Sequence, residues 1–300
     1  MKIGFIGVGN MGGPMCRNMI KNCGHEVLVC DRDAVAVERC VAVGGTGAGS
    51  IAEAVAESDV VFTSLPMPKD VEAVALGEGG IAASARQGTV HVDLSTNAPA
   101  MVRGIAAALA PKGIKMLDAP VSGGTSGAEN ATIAIMVGGD RAVFDEHRAL
   151  FESFGKNVIY AGDLGAGSVA KIVNNMVAFC NMASAAEGLM LGASAGIDPD
   201  VLNQVIRSSS GDGFGYRAVA HKALRGDWSP TFALDLAYKD MHLALELADE
   251  IGIPLPLAAQ THNLMRMARG SGYGGDDTTA MMRVYEDTLQ REVRGKPRDG

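Results

Sequence analysis

The sequence predicts an α/β fold, a doubly wound parallel sheet that leads into a long helix and then an all-α C-terminal domain. Three observations predict it. Short Val- and Ile-rich runs alternate with helical patterns through the first half. One helical pattern then runs unbroken from Gly167 to Ala195, and beyond it no strand pattern recurs. Repeated β-α-β order implies parallel strands with helices on both faces.

Lys2–Ile6, Glu26–Cys30, Val60–Thr63, Thr89–Asp93 and Ile114–Leu117 read as buried strands. Thr132–Val137 and Asn157–Tyr160 extend the same sheet. Asp33–Val43 and Pro99–Ala110 are helices between strands. In the long helix, Val169, Ile172, Val173, Met176 and Val177 have core-like spacing. Asp198-Pro199 is an N-cap with proline at the first helical position, and Ala233–Ile251, Leu257–Arg269 and Asp277–Arg291 are further helices. The expected domains are residues 1–163 and 164–300, with the connecting helix at about 167–195.

Bulk properties narrow the function classes. A formal charge of −8 spread over 300 residues argues against a nucleic-acid partner, which needs a basic face. Five cysteines include no C-x-x-C pair, so neither a zinc site nor a disulfide framework is signalled, and reduced thiols in a cytoplasmic protein are the expectation. The six histidines show no ligand spacing, so no metal is expected. The glycine-broken start is not a signal peptide, and no uninterrupted apolar run reaches the roughly 18 residues of a membrane helix, so no membrane association is expected.

The first motif is Gly7-Val8-Gly9-Asn10-Met11-Gly12. It follows the first strand directly and opens a helical pattern at Met11, Met15 and Met19. With 39 glycines in the chain the spacing alone is weak; the strand-turn-helix context makes it a Rossmann-type dinucleotide turn. Glycines permit the tight turn, close approach of a pyrophosphate and close helix packing, and the helix N-terminus offers amide donors to phosphate. Asp31, 19 residues after the last glycine, stands where a carboxylate bonds the adenosine ribose hydroxyls and repels a 2′-phosphate. That favours NAD; Arg32 beside it keeps NADP open as the alternative.

Asp118-Ala119-Pro120-Val121-Ser122-Gly123-Gly124 follows a strand, and its glycines expose N–H groups beside a hydroxyl. Such a loop can hold a carboxylate; a plain turn is the other reading. Lys171 and Asn175, four apart, share a face of the long helix. With Val169, Ile172, Val173 and Met176 around it, Lys171 is expected to be partly desolvated, which lowers an ammonium pKa toward the general acid-base range. The alternative is a lysine whose stem packs while its tip reaches water. Lys239-Asp240, inside an otherwise apolar helix, would by itself be an opposite-charge pair facing solvent.

Together, Phe5–Met15, Asp118–Gly124, Gly165–Asn175 and Tyr238–Leu245 resemble the four signatures of the β-hydroxyacid dehydrogenase family, in order and over essentially the whole chain. The resemblance implies a nicotinamide-dependent oxidoreductase that interconverts a short 3-hydroxy acid and its semialdehyde, such as glycerate and tartronate semialdehyde, 2-(hydroxymethyl)glutarate or 3-hydroxyisobutyrate. It implies Lys171 as catalytic acid/base. Asn175 and Asn174 would orient the substrate, and Ser122, Gly123 and Gly124 would hold its carboxylate. Leu65, Pro66, Thr96 and Lys239 would line the cofactor, with Asp240 supporting Lys239's helix. It also implies a homodimer or homotetramer. Asp31-Arg32, Ala75–Ile81 and Met116–Gly124 are similar to tartronate semialdehyde reductases. Phe62–Pro66, Lys171–Asn175, Cys180–Ser184 and Ile206–Gly211 are more similar to 2-(hydroxymethyl)glutarate dehydrogenases. Asp212–Arg217 matches neither and is expected to face the site, where Arg217 is either a partner for a second carboxylate or a surface arginine. Two other readings are an imine reductase and a non-catalytic nucleotide-binding oligomeric module. Relatives of both kinds lack the lysine, so Lys171 argues against each.

Overall fold

The computed structural model describes residues 1–296. The chain forms two compact units, Met1–Lys171 and Ile172 onward. In the first unit the strands are β1 (Lys2–Ile6), β2 (Glu26–Cys30), β3 (Thr46–Gly47), β4 (Val60–Thr63), β5 (Val90–Asp93), β6 (Lys115–Asp118), β7 (Val121–Ser122), β8 (Ile133–Gly139) and β9 (Gly155–Gly162). They make one nine-stranded sheet in the order β3-β2-β1-β4-β5-β6-β8-β7, with β9 also on β8. Strands β3 to β6 along that order are parallel; β8 runs antiparallel to β6 and β7.

The helices between the strands are α1 (Gly12–Asn22), α2 (Ala34–Val41), α3 (Ile51–Ala56), α4 (Pro68–Leu76), α5 (Ile81–Ser84), α6 (Pro99–Leu109), α7 (Gly124–Glu129) and α8 (Arg141–Glu152). One core layer joins Ile3, Phe5, Phe62, Met15, Met19, Phe151 and Phe154; the opposite layer joins Val55, Val61, Ile81, Ile105 and Leu109. Covering both faces explains why the strands read as apolar runs rather than alternating ones. Between β1 and β4 the strand order reverses, so their carboxyl ends flank a topological switch point, where ligands bind in open α/β sheets.

The long helix α9 (Ala166–Ser194) starts in the first unit and continues into the second. The second unit adds α10 (Pro199–Arg207), α11 (Phe214–Ala223), α12 (Leu234–Ile251), α13 (Pro256–Gly270), a 3-10 turn (Thr278–Met282) and α14 (Arg283–Leu289). Its core sets Phe179, Met182, Ala186, Leu189 and Met190 of α9 against Val219, Leu234, Met241, Met265 and Met281. Among the described residues α9 is the helix long and apolar enough to cross a membrane by length and composition (hydropathy 1.3). Half of that stretch is buried within the protein.

Two expectations change. Val169, Val173 and Val177 are exposed, while Ile172, Phe179 and Leu189 are buried. The helix therefore buries the neighbouring stripe, and the three valines, each one turn apart, lie on its open side. The helix expected over Asp277–Arg291 is divided instead. The Asp277 carboxylate takes Thr231 N (2.8 Å) and Thr231 Oγ1 (2.6 Å) and also caps Thr279 N (3.1 Å), which tightens the first turn to 3-10.

Candidate active site

The phosphate turn sits at the carboxyl end of β1, and its glycines have separate tasks. Gly7 has φ +89°, and a Cβ there would lie 2.3 Å from Ser64 O. A Cβ at Gly12 would lie 2.0 Å from Gly7 O, so only glycine lets α1 start this close to the turn. Gly9 differs: it is exposed, and nothing lies within 4 Å of a Cβ built on it. Its open side is a cradle that a side chain would fill, beside the helix N-terminus, as dinucleotide binding requires. Val8 is buried, Met11 is half-buried and Asn10 is exposed.

Asp31 follows β2 and touches this turn. Its Oδ2 accepts from Val8 N at 2.6 Å and its Oδ1 from Asp33 N at 2.9 Å. Arg32 is exposed. The loops after β4 and β5 close the same edge. Leu65 N donates to Ser95 Oγ at 2.9 Å, with Pro66 exposed and Thr96 half-buried alongside.

Beneath these loops lies a buried polar network that sequence reading missed. Asp93 accepts from Thr63 Oγ1 (2.8 Å), Ser95 N (3.2 Å) and Asn97 Nδ2 (2.6 Å). His91 Nε2 lies 3.0 Å from Thr63 Oγ1. Burial pushes the imidazole pKa down to about 4, although the neighbouring Asp93 opposes this. The signal was present in the D-L-S-T stretch, but polar residues in an apolar strand reveal their partners only once β4 and β5 are paired.

Asp118, at the end of β6, anchors α9. Its carboxylate accepts from Gly165 N (2.8 Å) and Ser168 N (2.6 Å), which places a negative group at the helix N-terminus. Burial raises its pKa, and those N–H donors oppose the rise. A Cβ at Gly167 would lie 2.3 Å from Met136 O and 2.7 Å from Asp118 O, so glycine permits this close seating. The carboxylate thereby fixes the helix one turn before Lys171. Lys171 itself is buried, at 9% exposure. The expected apolar surround is corrected: Val169 and Val173 point to the open side, and Ile172 alone of the flanking residues is fully buried. After β6 the chain continues into β7, where Ser122 is half-buried and Gly123 and Gly124 are exposed with φ +139° and +65°.

In the second unit, Asn175 is buried and its Nδ2 donates to Asp240 Oδ2 at 2.7 Å. Asn174 is exposed and donates to Asn175 Oδ1 at 3.1 Å. Lys239 Nζ lies 3.1 Å from Asp240 Oδ1. Asp240 is only 2% exposed, so it is no surface charge; it orients Asn175 across two helices. Arg217, by contrast, forms a bidentate pair with Asp212 and is exposed. Among the described residues no group of three or more His, Cys, Asp or Glu side chains could hold a metal ion.

Comparison with known proteins agrees with this layout. Residues 2–162 match the family described as the NAD-binding domain of 6-phosphogluconate dehydrogenase. Residues 165–285 match that described as NAD-binding of NADP-dependent 3-hydroxyisobutyrate dehydrogenase. The chain is 41% identical to 2-(hydroxymethyl)glutarate dehydrogenase of Eubacterium barkeri, covering 98% of each. It is 37% identical to 3-hydroxyisobutyrate dehydrogenase of Pseudomonas aeruginosa, covering 94% of this chain and 98% of the relative. The solved 3-hydroxyisobutyrate dehydrogenase of Mycobacterium tuberculosis with L-serine superposes with TM-score 0.86 at 32% identity, over 96% of this chain and 99% of the other.

Proposed function

The chain belongs to the β-hydroxyacid dehydrogenase family, and on that premise we propose that it interconverts a short 3-hydroxy acid and its semialdehyde with Lys171 as proton carrier and NAD as preferred cofactor. It is a nicotinamide-dependent oxidoreductase of hydroxy acids. The observation that carries the catalytic reading is Lys171: a buried lysine on a helix whose start is pinned by Asp118, with Asn175 one turn further on.

A bound nicotinamide would supply the hydride acceptor for oxidation and the hydride donor for reduction. As the carbinol C–H bond gives up its hydride, Lys171 in its amine form would take the hydroxyl proton and the C–O bond would become a carbonyl; in reduction the ammonium would give the proton back. The amide of Asn175 carries two N–H donors, and Asp240 holds one, so the other can be aimed at a substrate oxygen. Ser122 and the N–H groups of Gly123 and Gly124 receive the carboxylate. Gly7, Gly9 and Gly12 shape the phosphate cradle. Asp31, at the rim of that cradle, disfavours a 2′-phosphate.

The direct test follows absorbance of the reduced nicotinamide with NAD and NADP. Substrates are glycerate, 3-hydroxyisobutyrate, 2-(hydroxymethyl)glutarate, 4-hydroxybutyrate and serine, with Lys171→Ala as the control. A Lys171-dependent signal names the substrate; activity that survives the substitution rejects the mechanism.

The same reading includes self-association in the cytoplasm. It is supported by Leu191, Ile197, Val201, Val205 and Phe214, apolar side chains of the second unit between 45% and 75% exposed, which association would cover. The five unpaired thiols fit a reducing compartment. Light scattering after size exclusion is expected to give a dimer or tetramer, and a monomer at micromolar concentration rejects the assembly.

A further inference from the structure

The loop Ser122–Gly123–Gly124 opens α7, a helix of six residues. So short a helix is not stable by itself and takes its position from what holds its ends. On one side β7 pairs with β8 over only two residues, Val121 with Ile135 and Ser122 with Ala134. On the other side the last carbonyls of α7 need donors. Ser126 O takes Asn130 Nδ2 at 2.8 Å, and Gly127 O takes Thr132 N at 2.9 Å. Ala128 O faces the backbone N–H of Asn130 and, at 3.4 Å, that of Ala131, and from outside α7 it takes Asn18 Nδ2 at 2.8 Å. The same amide reaches Glu129 O at 3.2 Å. Arg17 adds an ion pair to the Glu129 carboxylate at 2.7 Å.

Asn18 and Arg17 belong to α1, whose first turn is the phosphate cradle. One helix thus carries the dinucleotide turn at its start and the cap of α7 at its middle. We propose that Asn18 is a positioning residue for the substrate: by capping α7 it sets the Ser122–Gly124 loop, and so links the phosphate helix to the seat of the hydroxy acid's carboxylate. This rests on the reading that the loop receives that carboxylate. Arg17 has the smaller share, because its partner Glu129 is 56% exposed and an open ion pair contributes little.

The test uses full-length protein and separates three quantities: KM for the hydroxy acid at saturating cofactor, kcat, and Kd for the reduced cofactor by its fluorescence. Asn18→Ala is expected to raise the substrate KM about tenfold while kcat and cofactor Kd stay within about twofold, although Asn18 lies on the cofactor's helix. Glu129→Gln is expected to change KM by less than about twofold. Should Asn18→Ala fail to fold, Asn18→Ser, which keeps one donor, is expected to give a rise of about threefold. Ser122→Ala serves as reference. If it raises the substrate KM and the Asn18 variants do not, the positioning role is overturned and the carboxylate seat stands. If Ser122→Ala leaves KM unchanged, the seat itself is wrong and the proposal falls with it. A cofactor Kd that moves as far as the substrate KM would reduce Asn18 to a support of α1 and overturn the proposal.

Discussion

At the scale of single residues, the reactive groups stand in the sequence but their supports do not. Lys171 and Asn175 lie in one motif, four residues apart. Asp240, which orients Asn175, comes 65 residues later, and Asp118, which seats the helix under Lys171, about 50 residues earlier. No local pattern distinguishes these buried carboxylates from surface ones. Lys171→Ala removes the proton carrier and is expected to lower kcat by 10² to 10⁴, roughly the range for a general acid-base group, with cofactor Kd unchanged. A kcat within about tenfold of the parent would reject the role. Asp31 needs a subtler substitution, because its Oδ2 also satisfies the N–H of buried Val8. Asp31→Ala would remove charge and turn support together. Asp31→Asn keeps an acceptor for buried Val8 N and removes the charge, giving up only the bond from exposed Asp33 N, so the NAD-over-NADP ratio of kcat/KM is expected to narrow about tenfold with a smaller loss of melting temperature than Asp31→Ala. An unchanged ratio would place ribose recognition on another group.

Among the elements, long periodic ones were legible and short ones were not. The strands from β1 to β6 that carry Val and Ile runs, and the helices α9, α12 and α13, match the expected positions within a few residues. The two-residue strands β3 and β7 and the six-residue α7 are too short to show a period; they exist through their neighbours. Periodicity also cannot say which side of α9 is covered, and so Val169, Val173 and Val177 were misassigned to the core. The phosphate turn shows how one motif divides its labour, and substitution can separate the parts. Gly9→Ala adds a methyl to open space, so the fold should melt within about 2 °C of the parent while cofactor Kd rises by about tenfold or more. Gly12→Ala drives a methyl against Gly7 O and should cost about 1–3 kcal/mol in stability. Thermal melting and cofactor titration of both variants distinguish the two tasks. If Gly9→Ala binds cofactor normally, the open face of Gly9 is not the phosphate cradle.

For the whole molecule, the alternation of strands and helices announced the class, but the order in the sheet came only from the pairing. The placement of β4 beside β1, which creates the switch point, has no signature in the chain. The same holds for the burial of titratable groups, and this has a consequence for acid stability. His91 is fully buried in the first unit and His262 is 5% exposed in the second. Burial pushes each pKa down to about 4 from 6.5, and around His262 the cations Arg266 and Arg269 add to the effect. A depressed histidine is neutral in the folded state while the unfolded chain takes up a proton. Stability therefore falls as pH drops from about 6.5 to about 4 and levels off below. For His91 the full effect is on the order of 3–4 kcal/mol, at about 1.4 kcal/mol per unit of depression. The two buried carboxylates differ in sign and in range, and Asp118 acts above the ordinary carboxylate pKa, on the side of the histidine window. Asp277, held low by its Thr231 and Thr279 donors, loses its contribution only below the ordinary carboxylate pKa, and Asp118, raised by burial, works in the opposite sense. Denaturant midpoints measured between pH 7 and 4.5 should thus fall steadily in the parent. They should fall less in His91→Gln, whose amide can still donate to Thr63, and least when His262→Gln is combined with it. A double variant that retains the full slope would move the acid sensitivity to the carboxylates and reject both histidines as its source.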